Sequence, residues 1–237
     1  MKNISVFRFV GLFVSMVWAS CLMGNYRAQA QTAEATPPAK PAEIQITGGP
    51  IPTRVLLQSP VETVTELQII CLFESAPENR LHGSLLEINE KLKGLLDQIR
   101  KPSLFRGEFG ESLLIEPPAG SLKAKKLLII GLGSSQTFIP QRMEFIGSIV
   151  FRESGRLGIA HPYFAPTILD GGVTNFATGQ VAENFVAGFL RAARTEKVLK
   201  NVGASPSQVI LDLTFLAGPA HAADTQQGIE RGFATGK

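Results

Sequence analysis

Lys126-Leu127-Leu128-Ile129-Ile130-Gly131-Leu132-Gly133 is the stretch on which the fold turns. Four aliphatic residues in succession, with no polar alternation, read as a strand buried on both faces. The glycines end that strand, expected over 126–132, in a tight turn. Pro140 then opens a helix, since proline suits the first helical position. Met143, Ile146, Ile149 and Val150 give the helix an apolar face. A buried strand, a Gly-rich turn and an amphipathic helix are the repeating unit of a parallel sheet.

The same alternation continues in both directions. Residues 66–73 hold Leu67, Ile69, Ile70, Cys71, Leu72 and Phe73, a second continuous apolar strand. A helix over 84–99 follows, with Ser84 as its cap, Glu87 closing a capping box, and Leu85, Ile88, Leu92, Leu95, Leu96 and Ile99 facing inward. Shorter strands are expected at 53–57, 110–116 and 157–160. Val181, Phe185, Val186, Phe189, Leu190 and Ala193 mark 178–197 as the clearest amphipathic helix, with Glu183, Arg191 and Arg194 outward. A strand at 209–215 and a helix at 220–233 complete the pattern. The fold class is therefore α/β, one domain over 53–237 with a mostly parallel sheet.

The first thirty residues stand apart. Lys2 and Arg8 precede an apolar run from Phe9 to Met23, and Ala28-Gln29-Ala30 presents small residues at the first and third positions of a cleavage triplet. The run is shorter than the roughly 20 residues a spanning helix needs. A signal peptide at 1–30 is the reading, with an exported, periplasmic or secreted mature chain and no membrane attachment after cleavage. An uncleaved anchor and a lipoprotein acylated on Cys21 are the alternatives. Residues 31–52 carry Pro37, Pro38, Pro41, Pro50 and Pro52 and read as a stiff linker.

Charge follows from that division. The chain has 23 Lys+Arg and 20 Asp+Glu, and Lys2, Arg8 and Arg27 all lie in the leader, which has no acid. The mature chain is thus balanced at 20 basic against 20 acidic residues, which gives no basic footprint for nucleic acid. It keeps one cysteine, Cys71, in an apolar run, and so has no internal disulfide. His82, His161 and His221 are scattered, and His221 with Asp224 makes only an i, i+3 pair, so neither a metal nor another cofactor is expected. No Gly-x-Ser-x-Gly and no cysteine with an obvious histidine partner is present, so no catalytic residue is assigned.

Two Gly-rich loops are the candidate ligand sites. Gly131, Gly133 and Ser134 follow the central strand, where glycines let a backbone approach a phosphate. Asp170, Gly171, Gly172, Thr174 and Asn175 precede the long helix, whose N-terminus at Thr178-Gly179 could face an anion, while Asp170 could accept a hydrogen bond from an amine or a ribose hydroxyl. Each is also readable as a plain turn. Ligands of parallel sheets sit beyond the carboxyl ends of the strands, so the two loops are expected to share one rim.

Leu122-Lys123-Ala124-Lys125-Lys126 continuing into the quoted stretch to Gly133 resembles the segment Leu-Lys-Ala-Lys-Arg-Leu-Leu-aliphatic-aliphatic-Gly-Leu-Gly of M17 leucine aminopeptidases, in their N-terminal domain. Val181-Ala182-Glu183-Asn184-Phe185 is similar to that family's Ala-Glu-Gly helix, with Asn184 where Gly is usual, and Gly228-Ile229-Glu230-Arg231-Gly232 resembles the helix leading to the catalytic domain. The resemblance spans about 53–233. It implies a three-layer macro-domain-like fold, a mostly parallel mixed sheet flanked by helices. The family's two-metal site belongs to a second domain, expected where this sequence reaches Lys237. Glu153-Ser154-Gly155-Arg156-Leu157 only superficially matches a metal-binding stretch of that domain and lacks its Asp. The expectation is a stand-alone M17 N-terminal-like domain with a non-catalytic binding or assembly role, self-association included. One half of a split metalloaminopeptidase, partnered by a separate catalytic chain, is an alternative. A macro-like cleft for a nucleotide or phosphosugar is another.

Overall fold

The computed structural model describes residues 41–76, 80–101, 104–206 and 209–236. The expected signal peptide and residues 31–40 of the expected linker lie outside them. Among the described residues one seven-stranded sheet runs in the order β1-β2-β7-β6-β3-β5-β4. Its strands are β1 (Glu43–Ile46), β2 (Thr53–Leu56), β3 (Leu67–Leu72), β4 (Ser112–Ile115), β5 (Lys126–Gly131), β6 (Tyr163–Ala165) and β7 (Leu213–Leu216). Strands β2, β7, β6, β3 and β5 are mutually parallel, and β1 and β4 close the two edges antiparallel to their neighbours.

The central strands are apolar on both faces because helices cover both. Every residue of β3 is buried. Ile69, Cys71, Leu128, Ile130, Phe164 and Phe215 point to one face, with α3 (Met143–Arg156), α4 (Thr178–Asn201) and α5 (Ala222–Thr235). Ile70, Leu72, Leu127 and Ile129 point to the other, with α1 (Gly83–Lys91) and α2 (Leu95–Ile99). The three layers and the mixed sheet agree with the expected architecture. Phe164, on β6, stacks on Phe185 of α4 at 4.0 Å between ring centroids, and Phe215 meets both edge-on, fixing α4 across β6 and β7. Cys71 is fully buried and unpaired, and burial pushes its thiol pKa up, as expected of a core residue.

Several expectations need correction. The folded unit begins before residue 53: Glu43–Ile46 pairs in full register with β2. Its Glu-Ile-Gln-Ile alternation fits an edge strand with one wet face, a signal masked by the surrounding prolines. Residues 157–160 form no strand. Gly158 N–H bonds to Gly155 O and Ile159 N–H to Ser154 O, a Schellman closure of α3, so Ile159 is apolar because it anchors that turn. The strand lies further on, at β6. The helix expected over 84–99 is two helices, broken where Lys93 and Gly94 both take positive φ. Ser84 does not cap it. His82 occupies the N-cap, and the Ser84 hydroxyl donates elsewhere, to Asp170. The strand expected at 209–215 is confined to Leu213–Leu216, with Val209 and Leu211 exposed.

Candidate functional site

All parallel strands end on one rim, and the loops leaving β2, β6 and β7 enclose a cavity there of about 590 Å³. Leu57 and Pro60 follow β2, Pro166 and Ile168 follow β6, and Ala217 and Pro219 follow β7. Phe215 and Phe176 add aromatic surface. The first turns of α1, α4 and α5 reach the same space through Ser84, Thr178 and Thr225. The lining is mainly apolar with a few convergent polar groups, the usual composition of a small-molecule site of this volume.

Thr167 shapes the floor. It is one of two non-glycine residues at positive φ among those described, at 51°. Its hydroxyl donates to Cys71 O at 2.6 Å and accepts from Cys71 N–H at 2.9 Å. The side chain thus takes over the pairing that the short strand β6 abandons after Ala165, while the backbone turns outward to form the cavity wall. An observed left-handed β-branched residue at a cleft is a place where strain is held by the surrounding fold.

Two carboxylates serve the helix N-termini around the cavity. Asp170, in the 3-10 turn Leu169–Gly171, accepts the Ser84 hydroxyl of α1, and its backbone carbonyl accepts His82 N–H at 2.9 Å. Asp224, in the first turn of α5, accepts Gly179 N–H at 2.7 Å and the Thr178 hydroxyl at 2.8 Å. Those two bonds hold the Asp224 carboxyl below the ordinary aspartate pKa, the Gly179 amide contributing most. The N-terminus of α4, expected as an anion site, therefore holds an anion already, one supplied by the chain itself.

The sequence candidates separate into two groups. Gly131 ends β5 and Gly133 and Ser134 follow it on the same rim, but away from the cavity. Gly131 N–H donates to Glu111 O at 2.7 Å, Leu132 N–H to Leu72 O at 2.9 Å and Gly133 N–H to Gly107 O at 2.9 Å. A Cβ on Gly131 would lie 2.0 Å from Glu108 O, so that glycine exists for backbone packing. Of the second loop, Asp170 lines the cavity. Gly171 is buried with its amide directed to Thr167 O and Ile168 O, Gly172 turns the chain at φ 86°, and Thr174 and Asn175 are exposed beyond it. The loops after β2 and β7, and Thr225 and His221, were not singled out as lining a site. The turn residues Gly218-Pro219 directly after an apolar run were the available signal. Among the described residues no group of three or more His, Cys, Asp or Glu is placed to hold a metal ion.

Residues 69–200 match the model of the cytosol aminopeptidase family, N-terminal domain. A probable cytosol aminopeptidase of Roseiflexus castenholzii is 26% identical over 179 residues, 75% of this chain and 33% of that protein. The chain therefore spans about a third of that curated relative. Among solved structures, a tomato leucine aminopeptidase mutant aligns with a TM-score of 0.55 at 18% identity, over 80% of this chain and 37% of its own. A macrodomain of Oceanobacillus iheyensis with MES bound aligns at 0.51 and 13% identity, over 80% and 96%. A Trypanosoma brucei macrodomain in complex with ADP aligns at 0.50 and 13%, over 75% and 68%. At these identities the structures share the fold.

Proposed function

The chain belongs to the cytosol aminopeptidase family through its N-terminal domain, and from that premise we propose that it is an exported, non-catalytic binding domain whose ligand site is the cleft beyond β2, β6 and β7. The observation that carries this reading is the cavity of about 590 Å³ at the carboxyl rim, where open parallel sheets receive ligands. Asp170 lines the cleft and is positioned by the Ser84 hydroxyl, while Asp224 behind Thr178 is held by that hydroxyl and by Gly179 N–H, which suits a fixed binding wall. Export rests on the basic start, the apolar run and Ala28-Gln29-Ala30.

The test uses the purified full chain. It should leave leucine p-nitroanilide intact with added Mn²⁺ or Zn²⁺, and it should show saturable heat with at least one member of a panel of nucleotides, phosphosugars, aromatic amines and dipeptides. Ala217→Trp, which fills the cavity from its rim, should remove that heat. Metal-dependent turnover that survives repurification would overturn the non-catalytic reading, and heat unaffected by Ala217→Trp would overturn the cleft assignment.

A second reading follows from the length of the relative, of which this chain spans 33%. In it, the domain acts beside an aminopeptidase catalytic unit, and co-purification of such a chain with the native protein from its source is the test.

A further inference from the structure

We infer that the cleft takes an apolar molecule bearing a cationic amine, and not a nucleoside diphosphate or another phosphate. This rests on the cleft being the ligand site. Among the described residues its lining contains no lysine and no arginine; Asp170 is the carboxylate there and His221 the imidazole. A phosphate in a site of this kind relies either on basic side chains or on helix N-termini. Among the described residues the lining offers no lysine or arginine, and the N-terminus of α4 is already filled.

The N-terminus of α4 is served from within, and a second carboxylate stands at the start of α1. Asp224 occupies the Gly179 amide and the Thr178 hydroxyl at the start of α4, and it stands in the first turn of α5. Asp170 takes the Ser84 hydroxyl in the first turn of α1. A dianionic group would meet the Asp170 carboxylate in the lining and find the Thr178 hydroxyl already given to Asp224, a like-charge contact across a partly desolvated space. The glycine loop that could otherwise cradle a phosphate, Gly131 to Ser134, has the Gly131, Leu132 and Gly133 amides turned into backbone bonds and lies outside the cavity.

What remains matches an amine with an apolar body. Leu57, Pro60, Pro166, Ile168, Phe176 and Phe215 offer a dry wall for an aliphatic or aromatic group. The Asp170 carboxylate, with one hydrogen bond from Ser84, keeps lone pairs for an ammonium donor at the edge of that wall.

An isosteric charge series tests this by calorimetry on the full chain. Tryptamine, tryptophol and indole-3-acetate share one ring system and differ in carrying a cation, a neutral hydroxyl and an anion; ADP supplies the phosphate arm. Tryptamine should bind about tenfold more tightly than tryptophol, with indole-3-acetate and ADP weaker still. Ala217→Trp should abolish the tryptamine heat. Asp170→Asn, whose amide oxygen still accepts Ser84, should equalise tryptamine and tryptophol. ADP or indole-3-acetate binding as tightly as tryptamine, and lost in Ala217→Trp, would leave the cleft assigned and overturn the amine. Absence of heat from all four would overturn the amine, and tryptamine heat retained in Ala217→Trp would overturn both. If Asp170→Asn fails to fold, the order of the four ligands on the unaltered chain decides alone.

Discussion

The Asp224 carboxylate lies 2.7 Å from the amide nitrogen of Gly179, so a side chain on α5 closes the N-terminus of α4. Ala177, the N-cap of α4, has no side-chain oxygen to do so. The contact joins capping to packing. Where α5 crosses α4, a Cβ on Gly228 would lie 2.1 Å from Gly179 O, so the helices meet backbone to backbone and Asp224 reaches over the gap. Arg231 with Glu183, 2.8 Å apart, ties the next turns of the same pair.

Asp224→Ala should lower stability by about 1 kcal/mol, toward the lower end of the N-cap range because the carboxylate is partly solvated and screened. The loss should depend on pH in one direction. Folding lowers the Asp224 pKa, so its contribution is complete above the ordinary aspartate value of about 3.9 and fades as pH falls below it through the folded value. Urea unfolding of both proteins from pH 7 down to pH 2.5 checks this. The gap between them should narrow only at the acid end.

Thr167 is predicted to be worth more than its size. Thr167→Val keeps the shape but leaves Cys71 N–H and C=O without their partner in the core, and should cost about 2–3 kcal/mol. Thr167→Ser keeps the hydroxyl and should stay within about 1 kcal/mol of the parent. Equilibrium denaturation of the pair separates the hydrogen bonds from the methyl group.

Helices α3 and α4 approach so closely that a Cβ on Gly188 would sit 1.8 Å from Glu144 O, and one on Gly147 would sit 2.0 Å from Phe185 O. Ser148 bonds Gly188 O at 3.0 Å across the same contact. Gly188→Ala should therefore cost about 3 kcal/mol or more, since the helices must separate. Gly203→Ala, at φ 70° with open space around it, should cost only about 1 kcal/mol from backbone strain. Thermal unfolding monitored by circular dichroism distinguishes the two.

The layered fold was legible because β3 and β5 carry unbroken apolar runs and α4 a sustained helical period. The losses have local causes. Glu43–Ile46 has only four residues beside Pro41 and Pro50, and Leu157 and Ile159 are apolar as parts of a helix stop rather than a strand. The site was legible at Asp170, a polar residue just past a buried strand, and at Thr178, the start of the long helix. Its other walls depend on the strand order. β2 and β7 lie side by side although nearly the whole domain separates them in sequence, so nothing near Leu57 or Ala217 announces that they face one another. Asp224 was visible as a neighbour of His221, but its true partner lies on another helix.

Export predicts a defined mature end. The N-terminal sequence of the protein isolated from its source should begin at Gln31, after Ala28-Gln29-Ala30. An intact Met1 in a membrane fraction, or an acylated Cys21 as the first residue, would contradict a freely exported domain.

The central claim is that the rim beyond β2, β6 and β7 is where this domain binds. Amide chemical shifts of the full chain, followed during titration with tryptamine, test it most directly. The account predicts saturable changes confined to the lining loops, at Ile168, Leu169, Asp170, Leu216, Ala217 and Gly218, with Gly131 and Gly133 unmoved. Changes centred on Gly131 to Ser134, or none at the lining loops at saturating ligand, would contradict it.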